Sequence, residues 1–179
     1  AFVKNQKYEP NRGTGADSTA LGTSSEASGE SSTALGVDST ASGHLSIALG
    51  SNSNASGSLS IALGYNSKAS GVDSIAIGDN AVASSKYQIT IGNKFVYLRF
   101  SGTETQATVY NALSPWVSPT TGSHQGAIGA FGDEAIKHLH RSGSTTIALY
   151  DNTNTSIKTI SSGNTNQIGF DTAICTVKY

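Results

Sequence analysis

Methionine is absent from this 179-residue chain, and cysteine and tryptophan occur once each, as Cys175 and Trp116. A lone cysteine excludes any disulfide within the chain. Its setting in an apolar run reads as a small buried hydrophobe, not a reactive thiol. Charge is also scarce: 13% of residues are Asp, Glu, Lys or Arg, against about 25% in ordinary globular proteins. The formal net charge is −1, so no phosphate-binding face is indicated and nucleic acid is not an expected partner. No run approaches the roughly 18–20 apolar residues of a membrane helix, and membrane insertion is not expected. The opening Ala1-Phe2-Val3-Lys4 has no apolar signal core. Ala1 in a chain without Met fits a start trimmed of its initiator, and an excised fragment would look the same. No G-x-S-x-G, H-E-x-x-H or phosphate loop occurs, so catalytic residues and a cofactor are not expected.

Glycine, by contrast, is plentiful and periodic. It stands at 15, 22, 29, 36, 43, 50, 57, 64, 71 and 78, is replaced by Ser85, and returns at Gly92. A stricter period of fourteen overlies this one: Ser18-Thr19-Ala20-Leu21-Gly22 returns as Ser46-Ile47-Ala48-Leu49-Gly50 and ends in the degraded copy Gln88-Ile89-Thr90-Ile91-Gly92. Between copies sits a second unit, Ala27-Ser28-Gly29, repeated through Ala69-Ser70-Gly71. A seven-residue period first suggests a coiled coil, but one glycine per heptad, at about 1 kcal/mol each, excludes it. The local pattern has period two. Ile47 and Leu49 share one face, and Ser46 and Ala48 the other.

Two short strands and two glycine turns per fourteen residues make one coil of a flattened β-solenoid. Six such coils would stack at the interstrand spacing of about 4.8 Å. The sequence expectation places the ladder Leu21, Leu35, Leu49, Leu63, Ile77 and Ile91 inside, opposed by Ala27, Ala41, Ala55 and Ala69. Ala20, Ala34, Ala48, Ala62 and Ala76 then form an outward methyl strip, small enough to pack against copies of itself as the trimer contact. A solenoid this thin buries little alone, and oligomerisation is the usual remedy.

The S-[VI]-A-[IL]-G units at Ser46–Gly50, Ser60–Gly64 and Ser74–Gly78 resemble the YadA-type head repeat of trimeric autotransporter adhesins. The same repeat occurs in phage fibres and virion proteins. The resemblance covers residues 15–92 and implies a left-handed parallel β-roll with three chains about one axis. The expected fold is therefore all-β: a homotrimeric β-solenoid with 14-residue coils, capped by a small antiparallel β-knob.

Residues 1–14 read as an attachment arm with Phe2, Val3 and Tyr8 as apolar anchors, 15–92 as the rod, and 93–179 as the knob. Phe95–Phe100 is apolar on both faces and expects burial by partners. Residues 103–113 read as a second strand, 114–132 as loop, and 144–179 as a meander. Residues 133–141 fit a helix or a strand, with acid first and base last favouring a helix.

Trp116, between two prolines, plugs the knob core or a chain interface; the alternative is sugar stacking at an exposed tip. His138 and His140 would face one way on a strand, and three copies would set six nitrogens around an axis, a metal site. Lys137, where phage needle ladders of this kind usually have Gly, favours solvated or interface histidines instead. Asp133 and Glu134 are adjacent, a poor geometry for paired acid–base work. The function these residues imply is a structural, non-enzymatic virion fibre or capsid-decorating spike of a bacteriophage. It would be assembled in the host cytoplasm, held by its arm to a capsid or tail protein, with a knob facing a host glycan. The alternatives are the head of a bacterial cell-surface adhesin and, from another class, a polysaccharide-cleaving spike using Asp133 or Glu134.

Overall fold

The computed structural model describes residues 13–120, 124–131 and 133–177. The expected anchors Phe2, Val3 and Tyr8 lie outside the described residues. Two compact units divide after Ala83, whereas the extent of the repeat predicts the boundary after residue 92.

The first unit is a solenoid of five laps, each a three-residue strand and a two-residue strand. They are β1 (Thr19–Leu21) and β2 (Glu26–Ala27), β3 (Thr33–Leu35) and β4 (Thr40–Ala41), β5 (Ile47–Leu49) and β6 (Asn54–Ala55), β7 (Ile61–Leu63) and β8 (Lys68–Ala69), and β9 (Ile75–Ile77) and β10 (Val82–Ala83). Odd strands form one parallel wall with Ala20, Ala34, Ala48, Ala62 and Ala76 in register. Even strands form a second wall with Ala27, Ala41, Ala55, Ala69 and Ala83 in register. The fourteen-residue lap read from the sequence is thus the pairing register itself.

Every corner is a four-residue turn. Ser18 N donates to Gly15 O at 3.3 Å and Ser25 N to Gly22 O at 3.2 Å. The third turn residue takes positive φ, between 51° and 58° at every seventh position from Asp17 to Tyr87. That strain falls on Asp, Asn and Ser, which tolerate it, and also on Leu45, Leu59 and Tyr87, which do not tolerate it well. Glycine serves a second purpose. Gly43 is not in the left-handed region, yet a Cβ there would lie 2.0 Å from Gly57 O of the next lap.

The sequence expectation for the two faces is reversed. Ala20 is 3% exposed and Ala34, Ala48, Ala62 and Ala76 are 0% exposed, so these methyls line the inside of the coil. Leu21, Leu49, Leu63 and Ile77 point outward, 64%, 42%, 38% and 36% exposed, and Leu35 is half-buried. The two walls of a two-stranded lap stand too close for leucine. Only Ala, and the buried serines Ser25, Ser32, Ser39, Ser46, Ser53, Ser60, Ser67 and Ser74, fit between them. Ala20, Ala34, Ala48, Ala62 and Ala76 therefore cannot be the trimer contact.

The second unit holds β11 (Ile89–Ile91), which is the sixth repeat copy, β12 (Phe95–Phe100), α1 (Gln106–Leu113), a 3-10 turn (Ser114–Trp116), β13 (His124–Phe131), β14 (Glu134–Gly143), β15 (Thr146–Tyr150), β16 (Ser156–Ser161) and β17 (Thr172–Val177). Its strands run antiparallel in the order β11-β12-β17-β13-β14-β15-β16. The last strand inserts centrally between β12 and β13, so residues 144–179 are only partly a meander. α1 packs on β12 and β16, and the core gathers Val96, Leu98, Val109, Leu113, Trp116, Leu139, Leu149 and Ile174.

Two local expectations change here, and one left open between helix and strand is decided. Residues 106–113 form a helix, not a strand, because Thr105 Oγ1 accepts from Thr108 N at 3.2 Å as an N-cap. Its buried residues Gln106, Val109, Tyr110 and Leu113 recur at helical spacing. Residues 134–143 form a strand, since pairing with β13 and β15 on both sides outweighs the end-charge preference for helix. Part of the expected loop 114–132 is strand β13, whose Gly129 allows Ala173 O to approach within 2.0 Å of where a Cβ would stand.

Candidate self-association surface

The outward face of the odd-strand wall is the most chemically distinct surface of the solenoid. In each lap the alternation that turns Ala inward turns two neighbours outward. These are Thr19 and Leu21, Thr33 and Leu35, then Ile47 and Leu49, Ile61 and Leu63, Ile75 and Ile77. The result is a stripe that is aliphatic but for the threonines of the first two laps, with no charged residue in it. The aliphatic side chains among them are already partly covered, so removing the remainder from water contributes roughly half of the 1.5–3 kcal/mol of a full burial each. A stripe of this extent marks an interaction site rather than ordinary scattered surface. The even-strand wall differs: its outward positions are Glu26, Thr40, Asn54, Lys68 and Val82, a mixed surface.

The corners are varied and mostly polar. His44 Nε2 lies 3.7 Å from Glu30 Oε2 of the preceding lap, an exposed pair and therefore a weak one. Asn66 Nδ2 donates to Asn80 Oδ1 at 2.6 Å between successive laps. Leu45 and Leu59, 46% and 47% exposed, put bulky side chains on strained backbone. Nothing in the spacing of the repeat signals them.

In the second unit Trp116 is 9% exposed and sits in the core. The core placement read first for Trp116 is the one found, and its indole is not offered to a sugar as the alternative reading requires. Arg141 secures the segment around it. Its Nε donates to Ser118 O at 3.0 Å, Nη1 to Tyr110 Oη at 2.8 Å and Nη2 to Ser114 O at 3.1 Å. Gln125 Nε2 donates to Trp116 O at 2.6 Å and to Thr176 Oγ1 at 2.9 Å.

His138 and His140 do share one side of β14, as a strand requires. Both rings stack on Tyr150, with centroids 5.0 Å away and interplanar angles of 4° and 11°. Their faces are thus engaged within the chain. No group of three or more His, Cys, Asp or Glu that could hold a metal occurs among the described residues. Asp133 lies in a turn and Glu134 opens β14. Asp151 is held below the usual carboxylate range by hydrogen bonds from Thr155 N and from Thr153, both at 2.8 Å. Burial pushes the Cys175 thiol upward. No helix among the described residues is long and apolar enough to cross a membrane.

The family model of the YadA head domain repeat matches residues 14–39, 27–53, 41–67, 55–81 and 69–87. These overlapping matches follow the laps of the solenoid. No curated protein matches the chain.

Proposed function

From the premise that residues 14–87 are a run of YadA head domain repeats, we propose that the protein is a homotrimeric, adhesin-like head. It is a structural rod without catalytic chemistry that carries its second unit to a surface. The carrying observation is the division of labour within each lap. Alanine and serine satisfy the narrow interior, while Leu21, Ile47, Leu49, Leu63 and Ile77 stay uncovered on one wall. Three such stripes facing one axis exclude water from all of them, and small single cores are marginal without this kind of help. Contacts made by three identical heads act together, so weak individual affinities suffice.

The repeat match favours the bacterial cell surface as the setting. A bacteriophage fibre or capsid-decorating spike, anchored by residues 1–14, would use the same rod mechanically and is the second reading. What supports it is the same repeat used as a spacer. Antibody against the second unit applied to intact cells and to purified virions of the source separates the two. Label on cells supports the adhesin setting, and label confined to virions supports the fibre. A polysaccharide-cleaving role is the weakest reading, since adjacent residues 133 and 134 do not form a facing pair.

A further inference from the structure

The second unit has an uncovered face of its own. Strand Phe95–Phe100 is apolar on both sides, but the fold buries only Val96, Leu98 and Phe100. Phe95 and Tyr97 remain half-exposed on the other side. Pairing register aligns their neighbours into two rows. In one row Ile91 stands opposite Phe95, and Phe95 opposite Val177. In the other Tyr97 stands opposite Cys175, and Cys175 opposite Ile128. Ile128 is 79% exposed, and Val177 and Ile91 are more than half exposed. A groove of about 560 Å³ runs among Phe95, Ile128, Cys175 and Val177, with Lys137 at its margin. No carboxylate lies in either row.

We infer that this face of the second unit packs against the same face of a second and third copy of the chain, so that the second unit carries a trimer contact of its own. What identifies the occupant is β11. It is the sixth copy of the repeat, and its outward Ile91 is the counterpart of Leu21, Leu49 and Ile77. A strand whose stripe residue meets other copies brings its hydrogen-bonded neighbours to the same seam. The rows through Phe95 and Tyr97 are those neighbours. A cyclic contact also explains why the apolar rows stop where Arg99 and Lys137 begin, since charges belong at a rim. The inference rests on the reading that the repeat stripe self-associates.

Cys175 supplies the test, because it is the only thiol in the chain and lies inside the second row. Full-length protein is compared with Ile128→Asp, with the milder Ile128→Asn, and with the stripe variant Leu63→Asp, by particle mass and by the rate of maleimide labelling at Cys175. The expected result is an assembled wild type whose thiol labels at least about tenfold more slowly than in Leu63→Asp, with labelling restored in both Ile128 variants. An assembled wild type whose thiol labels as fast as the dissociated Leu63→Asp chain overturns this inference and leaves the repeat contact intact. Equal protection in the dissociated chain overturns it as well, because the covering is then internal. A monomeric wild type overturns the trimer reading beneath it.

Discussion

Gly43 and Gly57 stand one lap apart, so near that a methyl on the first would sit 2.0 Å from the carbonyl oxygen of the second. The laps are packed backbone to backbone there. Gly43→Ala therefore forces neighbouring laps apart and lowers stability by about 1–3 kcal/mol or more. Gly163→Ala has nothing within 4 Å and changes stability by less than about 0.5 kcal/mol. Urea denaturation of both variants checks the contrast.

The interior serines fall into two classes. Ser39 Oγ and Ser53 Oγ donate to Gly36 O at 2.9 Å and Gly50 O at 2.8 Å. Ser32, Ser46 and Ser60 are just as buried, yet their Oγ atoms have no hydrogen-bond partner. Ser53→Ala should cost about 1 kcal/mol, whereas Ser46→Ala should be neutral or stabilising, since it removes an unsatisfied buried hydroxyl. Ala81, at the position equivalent to Ser67, shows that alanine fits the partnered ladder sterically. Equal losses from the two substitutions would contradict this account.

Leu45 and Leu59 carry φ of 53° and 58°. Asn52 and Asn66 occupy the equivalent place at the other corner with φ of 57° and 51°. Leu45→Asn and Leu59→Asn should each stabilise the folded chain by about 1 kcal/mol. A loss of assembly in the same variants would assign the leucines to a contact that offsets their strain.

Much of the solenoid was legible because its period is also its register. Fourteen residues per lap, strand at Ile47–Leu49 and turn after Gly50 all follow from alternation and glycine spacing. Which face points inward does not follow. Ile47 and Leu49 share a face whichever wall is outside, and only the narrowness of a two-strand lap decides for Ala48. Constant alanine is the available signal, and by itself it fits close approach of another chain as well as the tight interior it marks. Residues 106–113 read as a strand because Thr, Val and Tyr favour strands, while the cap at Thr105 and the spacing Gln106, Val109, Tyr110, Leu113 carry the helix. At Glu134–Gly143 the end charges point to helix, but strand partners on both edges outweigh them. Trp116 between prolines was correctly a core candidate. Its fastening by Arg141 and Gln125 comes from residues 25 and 9 positions away, beyond any local pattern.

Asp151 anchors the turn between β15 and β16 through its bonds from Thr153 and Thr155. Its folded pKa lies below the ordinary 3.8. The contribution of these bonds is therefore fully present above the unfolded value and is lost as pH falls through the lower folded one. The amide resonances of Thr153 and Thr155 should titrate with a midpoint below 3.8, and Asp151→Asn should abolish that transition. A midpoint at or above the ordinary value would contradict the bonding scheme.

The stripe on the odd-strand wall carries the account, and particle mass in solution tests it most directly. Sedimentation equilibrium of the full chain should give three times the 18.3 kDa of one chain. The double variant Leu49→Asp, Leu63→Asp should sediment as a single chain that keeps its strand signal by circular dichroism. A wild type at 18.3 kDa, or a trimer indifferent to both aspartates, would contradict it.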